Sequence, residues 1–116
     1  MKKLAIFGSG SGSNAENIYN YFKNSLLVKI VFICTNNKNA YIVKRAKKIN
    51  LPVIYTSKSE LTDFYNFKKK ILHYDVDYIV LAGFLLKIPP VMVSYYSNRI
   101  INIHPSLLPK YGGKGI

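Results

Sequence analysis

The 116-residue chain has no tryptophan, one cysteine, two histidines and only five acidic residues. Each shortage removes a class of protein. A single thiol, Cys34, can build neither an internal disulfide framework nor a multi-cysteine zinc site. Two histidines and five carboxylates leave little for a protein-only metal centre, so no metal is expected. No apolar run approaches the ~18 residues that a membrane span needs, so no membrane partner is expected. Met1-Lys2-Lys3 followed by Leu4 to Phe7 starts like a signal peptide, but the polar stretch Gly8 to Asn14 cuts the apolar region short. The expected compartment is the cytoplasm. Acidic residues are also absent between Glu16 and Glu60, a gap that bears on ligand choice.

What is present suffices for a core. Hydrophobic residues make up 49% of the chain, with ten Tyr and six Phe, which excludes wholesale disorder. The length fits one domain. Seventeen Lys and Arg against five acids give a formal charge of +12. That balance suits anionic partners: nucleic acid, acidic lipid or phosphorylated metabolites. The lysines are dispersed, however, and the wealth of Lys, Asn, Ile and Tyr reads as compositional drift. Nucleic acid is therefore not the expected partner. Lys44 to Lys48 is backed by Ile42, Val43, Ala46 and Ile49, and Lys68 to Lys70 by Phe64, Phe67, Ile71 and Leu72. Both clusters read as solvated helix faces.

Strand and helix signals alternate. Lys3–Phe7, Leu27–Cys34 and Val76–Ala82 are largely apolar runs, broken inside only by Lys29 and Asp77, the mark of strands buried on both faces. Pro52–Tyr55 and Arg99–His104 read as two more strands. Asn14–Asn24 and Ala40–Ile49 carry helical spacing, with Ser13 or Asn14 able to cap the first. Ser57-Lys58-Ser59-Glu60 has the capping-box form and predicts a helix to about His73. Pro89–Tyr96 predicts a short helix, with proline in its first turn. Strands alternating with helices give an α/β class: a Rossmann-like parallel sheet with flanking helices, residues 1–116 forming part of a single domain. Ligands in such folds bind beyond the carboxyl ends of the strands. Gly8–Asn14, Ala82–Ile88 and His104 onward fall there.

Gly8-Ser9-Gly10-Ser11-Gly12-Ser13-Asn14 joins the first strand to the first helix. Glycines allow a sharp turn and close approach to a ligand, and the helix start offers unpaired N–H groups and a positive dipole end. The stretch lacks the Gly-Lys-Ser/Thr of a Walker loop. It fits a dinucleotide pattern, yet the second strand ends Cys34-Thr35-Asn36-Asn37 without the acid that holds a ribose. NAD is disfavoured; Lys38 leaves an NADP-like site open, and a simple phosphomonoester site is the third version. Near the other end, Asn102 and His104 are two apart, so in a strand they share a face while Ile101 and Ile103 share the other. Asparagine can donate to an oxyanion and histidine can move a proton near neutral pH. His73 reads as an ordinary surface residue.

The string Asn102-Ile103-His104-Pro105-Ser106-Leu107-Leu108-Pro109-Lys110-Tyr111 closely resembles the signature of the phosphoribosylglycinamide formyltransferases (GAR transformylases), within the wider formyltransferase family. Ile6 to Asn14 is similar to that family's opening turn, and Leu81-Ala82-Gly83-Phe84 to its central strand end. The resemblance implies formyl transfer from 10-formyltetrahydrofolate, as co-substrate, to the amine of 5-phosphoribosylglycinamide. By position, Gly12, Ser13 and Asn14 would bind the substrate phosphate. Leu85, Leu86, Lys87 and Ile88 would line the folate pocket with Asn102, which would also hold the formyl oxygen. His104 would be the catalytic residue, stabilising the tetrahedral oxyanion and assisting proton transfer.

The family's enzymes are considerably longer, and the aspartate that partners their histidine lies beyond Ile116; none of Asp63, Asp75 or Asp77 matches it. The expectation is an N-terminal part of such an enzyme, weakly active or inactive alone. Leu86 takes a place where some relatives carry a basic residue. The rival functions are methionyl-tRNA formyltransferase, formyltetrahydrofolate deformylase, and a non-catalytic basic nucleotide- or RNA-binding α/β module.

Overall fold

The computed structural model of the chain describes residues 1–103; the expectations placed on His104 and on the loop that follows it lie outside the described residues. Five apolar runs become strands: β1 (Lys2–Phe7), β2 (Val28–Thr35), β3 (Val53–Tyr55), β4 (Tyr78–Ala82) and β5 (Ile100–Ile103). All neighbours pair in parallel in the order β3-β2-β1-β4-β5. The chain runs outward from β1 to β3, then crosses back to the other side of β1. The order therefore reverses between β1 and β4, the place where such sheets open a crevice at their carboxyl ends. The Rossmann-like parallel sheet expected from the alternation of elements is what forms.

Each face of the sheet has its own core, because β1 and β4 are covered on both sides. On one face Leu4, Ile6, Ile30 and Val80 meet Ala15 of α1 (Ser13–Phe22) and Ile42, Val43 and Ala46 of α2 (Tyr41–Lys48). On the other, Ala5, Phe7, Phe32 and Ile79 meet α3 (Lys58–Thr62), α4 (Phe64–Ile71) and α5 (Pro90–Tyr95) through Leu61, Phe64, Phe67, Ile71 and Met92. Phe7 is central to the second core: its ring centroid lies 6.4 Å from Phe32, 6.1 Å from Phe67 and 5.2 Å from Phe84. Phe84 follows β4, so this edge-on contact ties a ligand-facing loop to the core. Truncating a buried ring of this kind costs ~3–5 kcal/mol.

The β1–β2 ladder slips once. Leu4 pairs with Ile30 but Ala5 with Phe32, leaving Val31 as an extra residue in β2. Val31 and Phe32 consequently both pack toward the α4 side.

Five local expectations are corrected. Neither Ser13 nor Asn14 caps α1: its cap is Gly12 in a left-handed conformation, with no side-chain hydrogen bond. The helix expected from Ser57 to about His73 breaks at Asp63 (φ −91°, ψ 67°) and ends in a 3-10 turn, Leu72–Tyr74. Asp63 accepts from the backbone N–H of Asn66 and Phe67 and starts α4 afresh. Leu72 is 62% exposed rather than on the inner face, because the helix has already tightened there. Leu27, expected within a buried strand, is exposed and precedes β2. Strand β4 starts at Tyr78 rather than Val76, since Asp77 is occupied with the backbone of Lys3: its carboxylate accepts the Lys3 N–H at 2.8 Å.

Candidate active site

The turn after β1 is built around one glycine that no other residue could replace cheaply. Gly12 has φ +79°, and a Cβ there would stand 2.7 Å from Ile42 Cγ1 and 2.8 Å from Ile42 Cα. The close seat against α2 starts α1 with no side-chain cap from Gly12; the Ser13 N–H reaches the Ser11 hydroxyl at 3.4 Å, and the Glu16 N–H returns to the Gly12 carbonyl at 2.9 Å. The N–H groups of Asn14 and Ala15 are left over at the positive end of this ten-residue helix, a ready site for an anion. Gly10, Ser11, Gly12, Ser13 and Asn14 line an open cleft of about 230 Å³, whose far wall is Ala82 and Gly83 at the end of β4. The cleft sits at the reversal point of the sheet.

Helix α2 fixes the turn from behind. The Ile42 N–H donates to the Gly10 carbonyl at 3.1 Å and Arg45 Nε to the Ser11 carbonyl at 2.7 Å. Arg45 also pairs with Glu16 of α1 at 2.6 Å, and Lys48 joins the same carboxylate at 2.9 Å. The hydrogen bonds from Lys48 and then Arg45 hold the Glu16 carboxyl below the usual glutamate range. The base of the turn is thereby braced by an ion triad, and the guanidinium adds positive charge beside it.

Ser9 is buried beneath the turn, and its spacing in a run of serines and glycines gives no sign of that. Its N–H donates to the Gly83 carbonyl at 3.1 Å. Its hydroxyl donates to Asn36 Oδ1 at 2.5 Å and accepts the Leu85 N–H at 2.8 Å. Asn36 stands just past β2, where a dinucleotide site would carry a ribose-binding acid.

Gly83 has φ +75° and turns the chain out of β4. Of the four residues expected to receive a folate, Leu85 is 81% exposed, Lys87 is exposed, and Leu86 and Ile88 are half-buried. Lys87 and Ile88 border a second open cleft, of about 620 Å³, with Lys58, Thr62, Pro89 and Val93. They do not line the cleft beside Gly12. Asn102 is exposed in β5, in register with Leu81, and shares its sheet face; Ile103 packs toward the α1 side, as alternation requires. With β1, β4 and β5 adjacent, Asn102 is two strand spacings, about 10 Å, from the strand that carries the turn. The structure thus groups Gly12, Ser13 and Asn14 around one cleft, with Asn102 at the neighbouring carboxyl ends. Among the described residues no three His, Cys, Asp or Glu side chains cluster as a metal site would require.

The sequence profile described as "Formyl transferase" matches residues 2–116. The chain belongs to the formyl transferase family. Similar proteins include the chloroplastic phosphoribosylglycinamide formyltransferase of Arabidopsis thaliana, 37% identical over 99% of this chain and 41% of that protein. The Haemophilus influenzae phosphoribosylglycinamide formyltransferase is 34% identical over 97% of this chain and 56% of that protein. Among solved structures, glycinamide ribonucleotide transformylase 1 from Geobacillus kaustophilus superposes with a TM-score of 0.81 at 32% identity, over 99% of this chain and 64% of that one. This formyl transferase chain therefore spans about half the length of the curated relatives it matches. The Gly12 cleft and the exit of β5 both lie within the matched region.

Proposed function

We propose that this chain carries the phosphate- and formyl-handling part of an enzyme that moves the formyl group of 10-formyltetrahydrofolate to the amine of 5-phosphoribosylglycinamide, in purine biosynthesis. The observation that carries the reading is the uncapped, glycine-opened start of α1, facing the sheet's reversal point two strands from Asn102. Gly12, Ser13 and Asn14 receive the phosphate. Asn102 holds the formyl oxygen, and Leu85 to Ile88 receive the folate largely through backbone and apolar contacts. The amine nitrogen attacks the formyl carbon, its carbonyl electrons move to oxygen, and the bond to the folate nitrogen then breaks. His104 stabilises the tetrahedral oxyanion and helps the proton leave the amine for the departing nitrogen. Holding both substrates at one carbon supplies much of the rate, since aligned intramolecular reactions gain ~7–11 kcal/mol.

The test uses the full-length gene product with 5-phosphoribosylglycinamide and, separately, methionyl-tRNA as acceptor. Formylation of the first and not the second is expected. Asn102→Ala should lower kcat by about 10²–10³, the usual effect of losing an oxyanion donor. His104→Ala should abolish turnover while leaving the phosphorylated substrate bound. Equal loss of turnover and binding would make His104 structural and overturn its role.

A further inference from the structure

Three ligand-facing segments leave the sheet side by side: the glycine turn after β1, Asn36 after β2 and the Gly83–Ile88 loop after β4. One buried hydroxyl touches the last two and belongs to the first. Ser9 receives the Leu85 N–H at 2.8 Å across 76 residues of sequence and spends its own proton on Asn36 Oδ1 at 2.5 Å. A serine hydroxyl has one donor and two acceptor positions, so its donor is committed and the Leu85 bond has a defined direction. The main chain of Ser9 adds a second link, its N–H donating to Gly83 at 3.1 Å. Ser9 is only 5% exposed, and a buried link of this kind is not exchanged for water without cost. Leu85 itself is 81% exposed, so its side chain contributes little to holding the loop. On the inner side, Phe84 leans on Phe7.

We propose that Ser9 is a positioning residue for the one-carbon donor: through its hydroxyl it sets the path of the backbone at Leu85 and Leu86 relative to the glycine turn. The proposal rests on the functional reading above, in which residues 85–88 receive the folate. Ser9 touches neither substrate. It acts on the donor side through Leu85, whereas the glycine turn keeps its own support, from the Ile42 N–H to Gly10 and from Arg45 to Ser11.

The full-length gene product with Ser9→Ala tests this, by amide hydrogen exchange and by steady-state kinetics. Losing one hydrogen bond should speed exchange at Leu85 by about two- to tenfold, with the amides of β1 unchanged, and raise KM for the formyl donor by a similar factor. KM for the phosphorylated acceptor should stay within about twofold. Asn36→Ala, which leaves the Leu85 bond but frees the hydroxyl to rotate, should move the same two quantities in the same direction by less. Unchanged exchange at Leu85, an equal rise in both KM values, or a fall in melting temperature with no kinetic asymmetry overturns the proposal. If the wild-type protein formylates no acceptor, the functional reading falls, while exchange at Leu85 still decides whether Ser9 holds the loop.

Discussion

Alanine at position 12 places a methyl group where the turn and α2 already touch. Two penalties add. A left-handed backbone with φ +79° costs a non-glycine residue ~1–2 kcal/mol. The new Cβ also meets Ile42 at Cγ1 (2.7 Å), Cα and Cβ (2.8 Å each), and the Cα belongs to the backbone of α2. A side-chain rotation cannot clear it, so the turn and the helix must separate, and overpacking of that kind costs ~1–3 kcal/mol. The expected loss is roughly 2–5 kcal/mol, a large part of the ~5–15 kcal/mol that stabilises a domain. With a urea m-value of ~2 kcal/mol/M the unfolding midpoint should fall by about 1–2.5 M. Gly10→Ala is the internal control. A methyl group at that position meets nothing within 4 Å and its φ is not left-handed, so its stability should match wild type or rise by ~0.4–1 kcal/mol. Urea unfolding of the two variants of the full-length protein decides the matter. Equal midpoints for Gly12→Ala and Gly10→Ala would refute the close packing of Gly12 against Ile42.

Further outcomes follow from single contacts. Ser57 accepts the Glu60 N–H at 3.2 Å, so Ser57→Ala should cost about 0.5–2 kcal/mol, read as a lower melting temperature; no change would remove Ser57 as the cap of α3. Glu16 titrates lower when folded than when unfolded, so its ion pairs stabilise the protein above the ordinary glutamate value near ~4.3. That contribution disappears as pH falls through the lowered folded value. Glu16→Gln should therefore flatten the acid limb of a stability–pH curve, and an unchanged limb would mean the triad with Arg45 and Lys48 does not act. Burial pushes the Cys34 thiol far up, so a thiol-specific reagent at pH 8 should label it only after unfolding. Rapid labelling of the native protein would contradict its burial in β2.

Much of the fold is legible in the sequence because its strands are buried on both faces. Leu4 to Phe7 and Ile79 to Ala82 have no polar interruption, and the turn residues between elements are Gly, Ser and Asn. The capping serine at position 57 is readable from spacing alone, since the bond it makes is local. The break at Asp63 is not, because no proline or glycine marks it; the signal is the aspartate itself, three residues before Asn66, whose side-chain amide it binds. The glycine turn is visible as a string, but its mode of capping is not: the need for a left-handed residue at position 12 comes from Ile42, thirty positions on. Ser9 is hidden for the same reason. Among Ser9, Ser11 and Ser13 the sequence offers nothing to choose from, and only the adjacency of β1, β2 and β4 buries one of them against Asn36 and Leu85.

The surplus residue in β2 governs more than its own neighbourhood. Were Val31 paired in the regular way, Ala5 would face Val31 and each later partner would be displaced by one place, exchanging the faces of Phe32 and Ile33. Asn36 would then stand one strand step, about 3.3 Å, further along, out of reach of Ser9. Insertions and deletions within residues 28–35 are accordingly felt at the ligand loops rather than where they occur. A deletion at the bulge itself is the exception: losing one of residues 30–32 makes the ladder regular and leaves Asn36 where it is.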